Sequence, residues 1–231
     1  MLLYAVRHAE SQANVDKRAG LNSGLSPLGV DQTNMLAGLL TGFDFDAIYS
    51  SPFLRCIQTA LPIARALKLP IRIRPDLCEH HHLPLGSTDQ THLPTIEALA
   101  GQFAEVQPCP DHDAPFEWVP VDETLPQLCD RMQRMAGYLK SCWTADDNRV
   151  LVISHGSPIA RLIDAWLTNT PGPSFRFIID NAAVNALRLH AGVSSLVCLN
   201  ERSHLGGLPA PAAANFDAKG LIKPLPPSSY W

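Results

Sequence analysis

No lysine or arginine stands anywhere from Pro75 through Asp130, and the same stretch carries Asp89, Glu97, Glu105, Asp111, Asp113 and Glu117. A strongly anionic ligand buried against such a surface would find no paired cations, so this part of the chain is not built to hold one. Across all 231 residues, 18 basic side chains face 22 acidic ones for a net charge of -4, which leaves no broad basic surface for nucleic acid. No apolar run approaches the length of a membrane span. The first one, in MLLYAVRHAE, is short and ends in Arg-His, the reverse of a signal peptide's charge order. The six cysteines (56, 78, 109, 129, 142 and 198) form no CxxC pair. A chain of this length with 46% hydrophobic residues needs no disulfide framework, so reduced thiols and a cytoplasmic setting are expected. There is no GxxxxGK[ST] loop, and no cysteine is followed by arginine at the spacing of a thiol-phosphate cradle. Asp44-Phe45-Asp46 precedes a predicted strand instead of ending one, so it reads as a loop pair. No internal repeat is present.

What the chain does contain is alternation. Leu2 to Val6, Ala47 to Ser50, Ile71 to Ile73 and Val150 to Ser154 are short apolar runs of the kind that form buried strands. Between them, Leu125, Leu128, Met132, Met135 and Leu139 share one helical face, as do Ile159, Leu162, Ile163 and Trp166. VNALRLHAGVSSLVCLN reads as a terminal hairpin. The pattern predicts a three-layer α/β/α sandwich with a mainly parallel central sheet, an antiparallel edge hairpin and an inserted lid. One domain is expected over residues 1–207, with the lid at about 80–122 and a Pro/Ala-rich tail at 208–231. Ser26-Pro27, Ser51-Pro52 and Ser157-Pro158 each predict a helix start, with serine as N-cap and proline at the first helical position.

Three strand ends carry polar clusters. The first runs into Arg7-His8-Ala9-Glu10-Ser11 with Asn14 close behind, the second into SSPFLR ending at Arg55, and the last into Ser154-His155-Gly156. Carboxyl ends of parallel strands lie along one sheet edge, so two arginines and two histidines converge there. Such a cluster repels itself unless an anion fills it. Phosphate fits, because guanidinium matches its oxygens bidentately and helix N-termini add backbone donors. One of the histidines, as a neutral imidazole, can also act as nucleophile and carry the phosphoryl group. Positioning and fixed cations then supply most of the catalysis. The leaving oxygen needs a proton, and Glu79, shortly after the third strand, can reach the same edge; bound phosphate favours its protonated form. Taken singly, each of these residues has a structural reading as a strand-end pair, a capped turn or a solvated charge. Their order together points to a shared anion site.

On RHAESQAN, LSPLGVDQ, SSPFLRCIQTA and VISHGSP, the sequence resembles the histidine phosphatase superfamily, the phosphoglycerate mutase-like fold, in separated blocks from about Leu2 to Leu167. The resemblance implies His8 as phosphohistidine nucleophile, Arg7, Arg55 and His155 as phosphate clamp, and further phosphate contacts from Asn14, Ser11 and the Gly156 N–H. It implies Glu79, in Leu77-Cys78-Glu79, as proton donor. Many members follow that glutamate with aromatic and glycine residues; this chain has His80-His81-His82-Leu83-Pro84, so Glu10 or an acidic residue of the lid are the alternatives. Adjacent histidines of an extended chain point to opposite faces, so the triplet is expected to serve the lid and not a metal. Mutases of the superfamily hold a second phosphate with lysine and arginine after the acid. Their absence here favours a metal-independent, cofactor-free phosphatase over a bisphosphoglycerate-dependent phosphoglycerate mutase, and intact His8, Arg7, Arg55 and His155 argue against a third reading, a catalytically silent phosphate-binding module. The partner expected is a small phosphorylated substrate with a neutral or cationic leaving group, neither nucleic acid nor membrane. Its specificity is expected from the lid, with Phe116 and Trp118 as apolar contacts. The sequence names neither the substrate nor the oligomeric state.

Overall fold

The computed structural model describes residues 1–80, 94–109, 122–168, 172, 174 and 177–208. Seven strands form one sheet: β1 (Leu2–Arg7), β2 (Ala47–Ser50), β3 (Ile71–Ile73), β4 (Val106–Pro108), β5 (Arg149–Ser154), β6 (Val184–His190) and β7 (Val193–Glu201). Six α-helices among the described residues cover it: α1 (Gln12–Val15), α2 (Pro27–Leu40), α3 (Leu54–Leu67), α4 (Ile96–Gln102), α5 (Leu125–Cys142) and α6 (Gly156–Thr168). The strand order is β4-β3-β2-β5-β1-β6-β7. The first five run parallel, and β6 and β7 add antiparallel. This is the sandwich with an edge hairpin expected from the pattern.

Burial on both faces explains why the parallel strands read as unbroken apolar runs. Along β5, Val150 and Val152 pack with Leu128, Met132 and Met135 of α5 and Ile159 and Trp166 of α6. Leu151 and Ile153 face the other way, toward Leu36 and Leu40 of α2 and Ile57 and Ile63 of α3. The hairpin turns at Ala191-Gly192, both at positive φ (50° and 78°), the conformation whose twist matches antiparallel strands.

Of the three predicted helix starts, one holds as read. Ser26 caps α2, its Oγ accepting from the Gly29 N–H, with Pro27 first in the helix. The second is displaced: α3 begins at Leu54 with Phe53 at the N-cap, because the Ser51 hydroxyl is engaged with the His155 ring. The third is early by two residues. Helix α6 begins at Gly156, which puts Pro158 third; a proline is still tolerated there, since the first turn's N–H groups have no intrahelical acceptor. Within the stretch expected as a lid, α4 and β4 extend the sheet beyond β3. Residues 81–93 and 110–121, with His81, His82, Phe116 and Trp118, lie outside the described residues, as does the tail from 209. No helix among the described residues is long and apolar enough to cross a membrane. Asp46 lies at the opposite sheet edge, where its Oδ2 accepts from the Arg149 N–H at 2.8 Å, a loop role as read.

Candidate active site

Strands β1, β2 and β5 are neighbours and parallel, so Arg7, Ser50 and Ser154 end at one edge. The His8 N–H continues the ladder to the Ser154 carbonyl at 2.9 Å. This pairing sets His8 beside His155, with ring centroids 5.1 Å apart in an edge-to-face arrangement. Both imidazoles are buried.

The hydrogen bonds assign the tautomers. His8 Nδ1 lies 2.7 Å from the Ala9 carbonyl, which can only accept, so Nδ1 carries the proton. The Nε2 lone pair then accepts from Arg55 Nε at 3.3 Å. Burial first, then the nearby Arg55 and Arg7 guanidiniums, hold the His8 imidazole well below its ordinary pKa, so it is neutral at physiological pH. At His155 the order is reversed. Arg55 donates to Nδ1 at 3.2 Å, so the proton sits on Nε2 and goes to Ser51 Oγ at 2.8 Å. Phe53 packs edge-on against His155 at 5.1 Å and also underlies the Arg55 guanidinium at 4.4 Å.

The two arginines are fixed by backbone carbonyls. Arg55, at the second position of α3, donates to the Leu21 carbonyl at 2.8 Å, and Arg7 donates to the Ile179 carbonyl at 2.7 Å. Burial is the main cause that lowers the pKa of both guanidiniums. The Arg7 Nε is buried and finds no hydrogen-bond partner among the described residues, an orphan donor beside two histidines and a second arginine. Gly156, first in α6, offers an N–H with no intrahelical acceptor, and a Cβ there would stand 3.7 Å from Arg7 Nε. Glu79 closes the group, its Oε2 3.8 Å from His155 Nδ1. His8, Arg7, Arg55, His155, Gly156 and Glu79 are thus together.

Asn14 and Ser11 sit in the loop after β1 and bond to one another. The Ser11 N–H and Oγ–H both donate to Asn14 Oδ1 at 3.0 Å, leaving the Asn14 NH2 as the donor of that pair. Glu10 is turned away from this group: its Oε1 accepts from Ser26 Oγ at 2.6 Å. His80, first of the histidine triplet, bonds through Nδ1 to buried Glu123 at 3.3 Å.

One contributor has no signature in the sequence. The segment Ile179 to Ala182, just before β6, holds the Arg-His pair from the far side. Buried Asn181 donates through Nδ2 to the His8 carbonyl at 2.9 Å and reaches Asn14 Oδ1 at 3.3 Å. The Ala182 N–H donates to the Arg7 carbonyl at 3.0 Å. Polar residues bracketing the start of a buried strand, Asn181 and Asn185, were the only available cue. Thr59 of α3 steadies the same loop, accepting from the Ala9 N–H at 3.1 Å.

A neutral, buried histidine whose Nε2 lone pair faces two anchored guanidiniums, with an orphan donor and a helix N-terminus beside it at the carboxyl edge of a parallel sheet, defines an α/β phosphoryl-transfer enzyme. The comparisons with known proteins agree. Residues 3–202 match the histidine phosphatase superfamily (branch 1), and the chain belongs to that family. Phosphoserine phosphatase 1 of Hydrogenobacter thermophilus is 30% identical over 88% of this chain and 94% of its own. The adenosylcobalamin/alpha-ribazole phosphatase of Escherichia coli is 26% identical over 88% and 97%. Among solved structures, the alpha-ribazole phosphatase of Shigella flexneri shares the fold, with a TM-score of 0.63 at 23% identity, covering 87% of this chain and 96% of that one.

Proposed function

We propose that the chain hydrolyses small phosphomonoesters in two steps through a phosphohistidine on His8. The observation that carries this reading is the His8 ring: Nδ1–H bound to the Ala9 carbonyl, and an Nε2 lone pair facing the Arg7–Arg55–His155 cluster. In the first step Nε2 attacks phosphorus, the ester P–O bond breaks, and the leaving oxygen takes the proton of the Glu79 carboxyl group. In the second, the Glu79 carboxylate takes a proton from water as that water attacks phosphorus. The P–N bond breaks, phosphate leaves, and neutral His8 and protonated Glu79 are restored.

Arg7, Arg55, the Asn14 NH2 and the Gly156 N–H donate to the equatorial oxygens, with Ser11 supporting Asn14, and His155 joins them once its Nδ1 takes a proton. These cations and dipoles take the place a metal fills elsewhere, so no metal is required. The setting is cytoplasmic in this reading, where thiols such as the six here, joined by no disulfide, persist. Without lysine or arginine from Pro75 to Asp130, the leaving group carries no second phosphate, which separates this chain from the mutases. Phosphoserine and α-ribazole phosphate, after which relatives are named, are the first substrates to try.

The test is hydrolysis of p-nitrophenyl phosphate in EDTA by the native protein and by His8→Ala. Native activity is expected to persist in EDTA and to fall roughly 10³-fold or more in the variant, the scale of losing a nucleophile. Equal rates in both proteins would overturn the reading. Conversion of 3-phosphoglycerate to 2-phosphoglycerate would replace hydrolase with mutase.

A further inference from the structure

Away from the phosphate cluster, the most demanding buried charge pair in the described chain is Arg131 with Glu123. Both side chains are almost fully buried, at 4% and 5% exposure. The pair is bidentate, with Arg131 Nε donating to Glu123 Oε1 at 2.7 Å and the terminal NH2 to Oε2 at 2.6 Å. A buried pair of this kind contributes little net stability compared with an apolar packing of the same volume, so its retention asks for another explanation.

The other end of the arginine supplies one. Its second terminal nitrogen donates to the carbonyls of Asp76 and Cys78, the latter at 3.0 Å. The carbonyl between them, that of Leu77, accepts from Ser154 Oγ at 2.7 Å. Three successive backbone carbonyls are therefore pinned by buried side chains, and the next residue is Glu79. On its other side, the His80 N–H donates to Glu79 Oε1 at 3.0 Å while the His80 ring reaches Glu123. The turn bearing Glu79 is thus held before and after it by one cluster rooted in α5. Ser154 ties the same turn to the strand that carries His155.

We propose that Arg131 and Glu123 are positioning residues for the proton donor: through the Asp76–Cys78 backbone and His80 they fix the Glu79 carboxyl group at the site's open side. This rests on Glu79 being the acid of the proposed reaction. The mechanism explains why charge is used. Guanidinium is the one side chain able to grip a carboxylate bidentately and still bridge two carbonyls. An acid displaced by about 1 Å loses proton transfer far faster than it loses binding.

The experiment compares phenyl phosphate with p-nitrophenyl phosphate, two esters of similar shape. Phenolate needs a proton on leaving, and nitrophenolate needs it much less. Glu79→Gln sets the reference, with a loss in kcat on the order of 10²-fold for phenyl phosphate and a much smaller one for the nitro ester. Arg131→Lys and Glu123→Gln are expected to repeat that asymmetry in reduced form, about tenfold against less than about threefold, with KM little changed. Ser154→Ala removes only the Leu77 contact and should show the same bias if the Arg131 variants do not fold. Equal losses on both esters in the folded variants, as a purely structural staple would give, would overturn the positioning role. Should Glu79→Gln itself show no asymmetry, the acid assignment falls and the positioning proposal falls with it. Loss of His8 dependence would instead strike the phosphohistidine reading.

Discussion

At the scale of single residues, the site is held in a costly state. Two guanidiniums and two imidazoles share a buried edge, and the chain tolerates this by keeping His8 neutral. That choice ties activity to stability. The folded pKa of His8 is depressed below its unfolded value of about 6.5, so as pH falls through that value the unfolded chain takes up a proton that the folded chain refuses. Folded stability therefore declines from about pH 6.5 downward until the lowered folded value is reached, and is fully present above it. Melting curves from pH 8 to pH 5 should show this decline in the native protein, and His8→Gln should flatten it. An unchanged slope in the variant would mean that His8 is not the titrating group. Most of the site at this scale was legible, since Arg7, His8, Arg55 and His155 lie at strand ends or helix starts, where short local patterns report position. Asn181 and Arg131 were not. Each works through backbone carbonyls contributed by residues more than 50 positions away, and nothing in local spacing records such a bond.

At the scale of elements, α2 shows how closely a helix is fitted to the loop after β1 that carries His8. Glycine inside a helix is normally a weakness, and its replacement by alanine gains about 1 kcal/mol. Gly38 follows that rule: it is exposed, and a methyl group added there would meet nothing within 4 Å, so Gly38→Ala should stabilise by about 0.5–1 kcal/mol. Gly29 breaks it. A Cβ there would fall 1.9 Å from the Glu10 carbonyl oxygen, a backbone atom two residues past His8. Gly29→Ala is expected to lose the propensity gain and about 1–3 kcal/mol beyond it, and to lower kcat by displacing the loop. Denaturant melts of the two variants check both signs at once; a stabilised, fully active Gly29→Ala would show that the loop yields freely. The same scale explains what sequence patterning could read. Strands β2 and β3 have the bounds the pattern predicts because each is a short, mostly buried segment set between helical stretches. Strand β4 was missed because Val106-Gln107-Pro108 buries only its first residue and carries a proline, tolerated only because it is the sheet's edge.

For the whole molecule, the decisive feature is how far apart the site's parts lie in the chain. His8 follows β1, Arg55 opens α3, Glu79 follows β3, His155 follows β5 and Asn181 precedes β6, so the pocket exists only when both sheet ends and the helices between them are in place. An anion that satisfies the Arg7 Nε and the paired guanidiniums therefore binds the fully folded state and little else. Linkage then makes phosphate or vanadate a stabiliser of the global fold, worth about 2.7 kcal/mol at a hundredfold excess over Kd. Hydrogen exchange should slow in β1, β2 and β5 together, and not merely in the loops that touch the ligand. Arg55→Met should abolish that protection along with the shift in Tm, since it removes a side chain that bonds to both histidines. Protection confined to the loops after β1 and β5 would mean that the site can assemble on a partly opened sheet. In that case the edge hairpin, and with it Asn181, would contribute less to the catalytic geometry than its contacts with His8 and Asn14 require.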